Sequence, residues 1–228
     1  MNVQSESDPA PATPSILPPA GTRIYLASRS PRRRELLRQI GVSFEIMTLR
    51  EGHGRVADVD ETPLPSERPE DYVLRVSAAK ADAGWHRLME RRMPKLTLLP
   101  VLAADTTVCL GNDIFGKPAN REEAAGMLRA LSGKEHRVFT GVAVRFGDRI
   151  ETAYSDTLVG FVPLSERDIA VYVATDESLD KAGGYGIQGR AAAFVARMQG
   201  SYSGVMGLPL HETAVLLARI RPGYAAMA

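Results

Sequence analysis

The chain alternates short apolar runs with amphipathic ones, and the change of period marks the elements. Arg23–Ala27 is a short apolar strand, turned by Ser28-Arg29-Ser30 into a helix that Pro31 opens and Gly41 ends. In that helix Leu36, Leu37 and Ile40 share one face, and Ser30 suits its N-cap. A strand at Ser43–Thr48 and a polar loop at Arg50–Glu67 follow. Pro69 then starts a helix to about Arg91, with Tyr72, Val73, Val76 and Ala79 inward. Leu98–Ala104 is apolar throughout, the pattern of a strand buried on both faces, and it runs into Asp105.

Gly111-Asn112-Asp113 separates Thr107–Leu110 from Ile114–Phe115, predicting a hairpin. Asn120 with Glu123 caps a helix that ends at Ser132-Gly133. Val138–Phe146 and Ile150–Val162 form a longer hairpin about Gly147-Asp148, and Ser165 with Asp168 caps a helix through Val173. The last third holds a glycine-rich loop at Asp180–Gly189, a strand at Phe194–Met198, a small-residue loop at Ser201–Leu208 and a closing helix from Pro209 to about Ile220. Interleaved strands and helices with several hairpins predict an α/β fold with a mixed central sheet and flanking helices. Residues 1–21, rich in Pro, Ser and Ala without apolar period, are expected to be a disordered extension. Residues 22–222 form one domain, and 223–228 a tail.

Composition narrows the function. A net charge of +1 in 228 residues argues against broad nucleic-acid or membrane binding. A single Trp and few aromatics argue further against a nucleic-acid module. Cys109 is the only cysteine, which excludes an intrachain disulfide and a cysteine zinc site. With no signal-peptide pattern, a reducing cytoplasm is the expected compartment. The four histidines are scattered, so any metal would be a hard cation held by oxygen. Only five of the 28 basic residues are lysine, which gives Lys80 and Lys117 some weight as deliberate choices.

Candidate chemistry gathers at a few places. Ser28 followed by a helix whose first turn carries Arg32, Arg33 and Arg34 offers an anion free N–H groups, a favourable dipole and guanidinium forks. Cations there oppose the dipole, so an anion normally completes the site. Asp105, the first acid after a fully apolar strand, is placed at the strand's C-terminal end, where α/β clefts open. It could take a proton from water or hold a metal. Asp60 and Glu61 are an adjacent acid pair in a loop, Lys80 lies beside an apolar helix face, and Lys117 follows the first hairpin. The glycines of 180–189 allow close backbone approach to a ligand, and Gln188 carries both a donor and an acceptor suited to a base edge.

The order of these segments is more specific than any of them. LASRSPRR at 26–33, VDET at 59–62, AAKA at 78–81 and AADTTV at 103–108 are followed by GKP at 116–118 and LSGKEHRVFTGVAV at 131–144. DKAGGYGIQG at 180–189 and GSYSGVMGLPLHET at 200–213 complete the series. This resembles the Maf family of nucleotide pyrophosphatases across nearly all of Arg23–Ile220. The resemblance implies two lobes around a nucleotide cleft, as in inosine triphosphate pyrophosphatases, a divalent metal (Mg²⁺ or Mn²⁺) and frequently a homodimer. By motif, Asp105 matches the general base, and Ser28, Arg32 and Arg33 the phosphate-binding turn. Glu61, Lys80 and Lys117 match further active-site charges, with Glu61 and Asp105 as metal-holding acids. Arg32, Thr106 and Gln188 match the positions that sort substrates. The YGIQG form resembles the subgroup acting on dTTP and UTP, in contrast to its sister acting on 7-methyl-GTP. A nucleotide-binding regulator of cell division that does not hydrolyse is the alternative of a different class. Two features depart from the family pattern: a longer stretch at Arg50–Val59, and Ala191-Ala192 after Arg190.

Overall fold

The computed structural model describes residues 16–50, 57–90 and 98–224, with side chains as far as Ile220. Most of the expected N-terminal extension lies outside these residues, and Thr22 closes a hydrogen-bonded turn onto the Pro19 carbonyl (3.1 Å) just before the first strand.

Seven strands form one mixed sheet: β1 (Arg23–Leu26), β2 (Ser43–Ile46), β3 (Val101–Leu110), β4 (Asp113–Phe115), β5 (Glu135–Phe146), β6 (Arg149–Phe161) and β7 (Val195–Gln199). Their order is β2-β1-β3-β5-β6-β7, with β4 paired to β3. β1 runs parallel to β2 and β3, and every other pairing is antiparallel. The helices are α1 (Pro31–Gln39), α2 (Pro69–Glu90), α3 (Arg121–Leu131), α4 (Glu166–Val173), the short α5 (Tyr202–Val205) and α6 (Leu210–Tyr224). The mixed α/β expectation is borne out. The caps read from sequence are formed: the side chains of Ser30, Asn120 and Ser165 accept from the N–H groups of Arg33, Glu123 and Asp168.

One boundary differs in a way that matters. β3 does not stop before Asp105 but continues through it to Leu110. The polar triplet Asp105-Thr106-Thr107 interrupts the apolar run without ending the strand, because threonine is β-branched and fits a pleated backbone. The rule that places clefts beyond the carboxyl ends of parallel strands therefore does not locate Asp105, which pairs antiparallel with Gly141 of β5.

A fork in the sheet locates it instead. Along one edge of β3, β1 pairs only as far as Leu102, and β4 begins only at Val108. Among the described residues no strand pairs with 103–107 on that edge. The hydrophobic core divides at the same place. One cluster packs β1, α1, α2 and α6 against the first half of β3. A second packs α3 and α4 against the far halves of β5 and β6. Asp105 and Thr106 thus sit on the strand shared by two lobes, where its backbone edge opens to the cleft.

Candidate active site

The cleft at the fork encloses about 1100 Å³, and its walls bring together segments far apart in sequence. Ser28, Arg32 and Arg33 from the β1–α1 turn, Glu61, Lys80, Asp105, Thr106, Lys117 and Gln188 all line it. Every residue matched by motif therefore reaches one cavity, whereas Arg34 of the same first turn does not line it and donates to the Arg29 carbonyl (3.3 Å).

Its centre is an ion triplet. The Lys80 ammonium lies 2.7 Å from Asp105 Oδ1 and 3.0 Å from Glu61 Oε1. Asp105 is 7% exposed, so its charge is held where solvent screens little. α2 supplies the lysine and also fastens the loop carrying Glu61. Tyr72 donates to the Glu61 carbonyl (3.0 Å), and Arg75 donates to the carbonyls of Asp60 (3.4 Å) and Thr62 (3.1 Å) while pairing with Glu67. Of the two adjacent acids, it is Glu61 that reaches the cluster. The Asp60 carboxylate turns back to accept from the Thr62 N–H (2.9 Å), and this contact first of all holds its pKa below the usual carboxylate range.

Arg33 forms the second pole. Its Nε donates to the Gly207 carbonyl at 2.7 Å, one terminal nitrogen to Ser28 Oγ at 3.2 Å and the other to Thr106 Oγ1 at 3.4 Å. Thr106 in turn meets Thr140, whose hydroxyl also reaches the Gly204 carbonyl (2.8 Å). Hydrogen bonds thus link Arg33, through Thr106 and Thr140, to Gly204 of α5. Desolvation lowers the Arg33 pKa, against the pull of Asp105 and Glu61. A guanidinium starts from so high a value that it keeps its charge. The first turn of α1 contains no acid, so the dipole and the arginines together present positive potential to the cleft.

Other positions are looser. Arg32 reaches Asp180 of the glycine-rich loop at 3.4 Å. Lys117 and Gln188 are exposed on the cleft walls. Neither Glu177, on the cleft wall, nor Thr140, which joins Thr106 to Gly204, carried a signal of its own in the sequence as part of the site's frame. The glycines of 180–189 also make room for the protein's own side chains. A Cβ at Gly183 would sit 2.8 Å from Val108, and one at Gly189 1.9 Å from a Glu177 oxygen. Their close approach is to the protein's own side chains.

No group of three His, Cys, Asp or Glu side chains among the described residues forms a ready metal cage. The two carboxylates that converge on Lys80 are hard oxygen donors. They fit Mg²⁺ or Mn²⁺ provided that ligand oxygens complete the shell.

Fold and cleft together define a two-lobed α/β protein with a cationic, carboxylate-centred cavity at a fork in its sheet. The chain belongs to the Maf family: the family model described as Maf-like protein matches residues 23–220. A protein of Nitrosomonas europaea named dTTP/UTP pyrophosphatase is 54% identical over 202 residues, 89% of this chain and 96% of its own length. Proteins of the same name from Aromatoleum aromaticum (55% over 200 residues, 87% and 96%) and Nitrosospira multiformis (55% over 195 residues, 86% and 93%) are similarly close.

Proposed function

We propose that this protein hydrolyses dTTP and UTP to the nucleoside monophosphate and pyrophosphate, in the cytoplasm and as a homodimer. The observation that carries the reading is the Asp105–Lys80–Glu61 triplet standing beside Arg33 in one cleft. The similarity to pyrophosphatases so named supports the substrate.

In this reading the triphosphate lies over the start of α1, held by Ser28, Arg32 and Arg33. Asp105 orients a water and takes its proton as the water oxygen bonds to the α-phosphorus. The bond from that phosphorus to the bridging oxygen breaks, and its electrons leave with pyrophosphate. Lys80 and Lys117 offset the charge growing on that leaving group, an electrostatic contribution of several kcal/mol per well-placed group, roughly. Proton removal by Asp105 adds about 10²–10⁴-fold. A divalent Mg²⁺ or Mn²⁺ ion, when bound by Glu61 and Asp105 together with phosphate oxygens, supplies further charge neutralisation. Gln188 and Thr106 face the nucleoside. Uracil and thymine present an acceptor–donor–acceptor edge that a side-chain amide can read.

The test is pyrophosphate release from a panel of nucleoside triphosphates with Mg²⁺ or Mn²⁺, for the wild type beside Asp105→Asn. Turnover of dTTP and UTP that disappears in the variant, with nucleotide binding retained, supports the proposal. Preference for 7-methyl-GTP or another purine would keep the mechanism and discard the pyrimidine assignment. Binding without turnover of any nucleotide would favour a regulator.

A further inference from the structure

Gln188 sits on the exposed rim of the cleft, yet the backbone on either side of it is held by a relay that runs from the buried Tyr172 to the half-buried Glu177. The Gly186 N–H donates to the Tyr172 hydroxyl at 3.0 Å, and that hydroxyl donates to Glu177 Oε1 at 3.1 Å. The other carboxylate oxygen accepts from the Arg190 N–H at 3.2 Å. One relay therefore grips both ends of the segment that carries Gln188, and a turn from the Gly189 N–H to the Gly186 carbonyl (3.0 Å) closes it from within.

The anchors themselves are fixed. Tyr172 is 1% exposed and packs edge-on against Phe194, 5.3 Å between ring centroids. Burial raises its phenol well above the ordinary value, so the hydroxyl stays available as donor. The carboxylate of Glu177 fills the place a Cβ would take at Gly189, only 1.9 Å from that ideal position. A side chain at Gly189 would displace that carboxylate from the relay.

We infer that Tyr172 and Glu177 are positioning residues for base selection: their relay fixes the 186–190 segment so that the Gln188 amide meets one hydrogen-bonding edge and refuses others. This rests on the pyrimidine reading above and adds to it Tyr172, which does not line the cleft, and Glu177, which lies on its wall. A glutamine on an unsupported glycine loop would turn its amide to suit either pattern, because the cost of a poor match falls when the reader can relax. A held amide leaves a mismatched base with unpaired polar groups, which is how large discrimination arises.

The experiment is steady-state kinetics of the full chain on dTTP, UTP and CTP, whose cytosine edge differs from that of uracil. Wild type is compared with Tyr172→Phe, Glu177→Gln, Gln188→Ala and the Tyr172→Phe/Gln188→Ala double variant. Tyr172→Phe keeps the buried ring and removes only the relay hydroxyl. Glu177→Gln is isosteric and turns a donor toward one of the two donors it must accept from. The inference expects the dTTP-to-CTP ratio of kcat/KM to fall roughly tenfold in each single variant. The fall should come mainly from a raised KM for dTTP, with kcat for Tyr172→Phe within about twofold of wild type. The double variant should match Gln188→Ala alone, since without the amide nothing is left to position.

An unchanged ratio in Tyr172→Phe and Glu177→Gln, additive effects in the double variant, or a Gln188→Ala ratio equal to wild type would each overturn the inference while leaving the pyrophosphatase reading intact. A general loss of kcat on all three nucleotides at an unchanged ratio would mark a merely structural role and overturn it too. Failure of the wild type on both dTTP and UTP would instead overturn the functional reading, and the inference with it.

Discussion

Gly141 lies so close under Val73 that a Cβ on the glycine would stand 2.3 Å from the Val73 carbonyl oxygen. Gly141 is also the residue opposite Asp105 in the β3–β5 ladder. The missing side chain lets α2 settle directly on the sheet beside the acid. About two turns further along the helix, at 3.6 residues per turn, the same approach delivers Lys80 to Asp105. Gly141→Ala must push α2 outward, since the obstructing atom is backbone. The expected cost is roughly 1–3 kcal/mol of stability by overpacking. Turnover should fall more than this loss of folded protein explains, because Lys80 and Glu61 both depend on α2. Denaturant unfolding and kcat on the folded protein check the two effects separately.

Lys80 holds together two carboxylates that repel each other without it. Lys80→Met should lower turnover by about 10²–10³-fold, the usual effect of removing one preorganised cationic or donor group. It should also destabilise the fold by about 1–2 kcal/mol. That is less than the loss of a partner from a fully buried pair, because the Glu61 side chain is 44% exposed and solvent screens it. Adding Glu61→Gln should recover part of the stability and none of the turnover. Recovery of neither would show that the two acids do not interact through this lysine.

Arg33→Lys is not a conservative change here. The fork binds the Gly207 carbonyl, Ser28 and Thr106 at once, and an ammonium on a flexible stem cannot reach all three in that geometry. Leaving the Gly207 carbonyl unpaired costs about 1–3 kcal/mol. The expected result is a KM for nucleotide raised at least tenfold, roughly, with a smaller change in kcat. A KM equal to wild type would place the phosphates elsewhere.

Much of this frame was legible locally. Ser30, Asn120 and Ser165 announce their helices because capping is settled within four residues, and all three caps form. The members of the cleft were legible by motif order, whereas their arrangement was not. Asp105 reads as the end of a strand because acids seldom interrupt one; only the fork, where β1 gives way to β4, explains an acid in mid-strand. The choice between Asp60 and Glu61 depended on a turn at Thr62 and on Tyr72 and Arg75 of a helix downstream. The glycines of 180–189 suggested a ligand, although Glu177 and Val108 are what crowd them. Apart from the Asp60–Thr62 turn, these are contacts between residues well separated in sequence, invisible to composition and period.

His136 read as one more scattered histidine, and the structure makes it a source of pH dependence. It is 2% exposed, meets the Tyr185 hydroxyl through Nε2 at 2.8 Å, and packs edge-on against Phe161. Its Nδ1 is buried without a hydrogen-bond partner among the described residues. Burial pushes the imidazole down from 6.5 to about 4. Between those values the unfolded chain binds a proton that the folded one does not, so stability rises with pH across this window and is lost as pH falls through it. The full effect is up to about 3 kcal/mol. Glu67 and Asp71, held low by their arginine partners, act at the acid end, so the interval from pH 5 to 6.5 reports mainly on His136. His136→Asn should lower stability at pH 7.5, through the lost ring packing, and flatten the slope from pH 5 to 6.5 in urea midpoints. A slope equal to that of wild type would assign the acid sensitivity to another group.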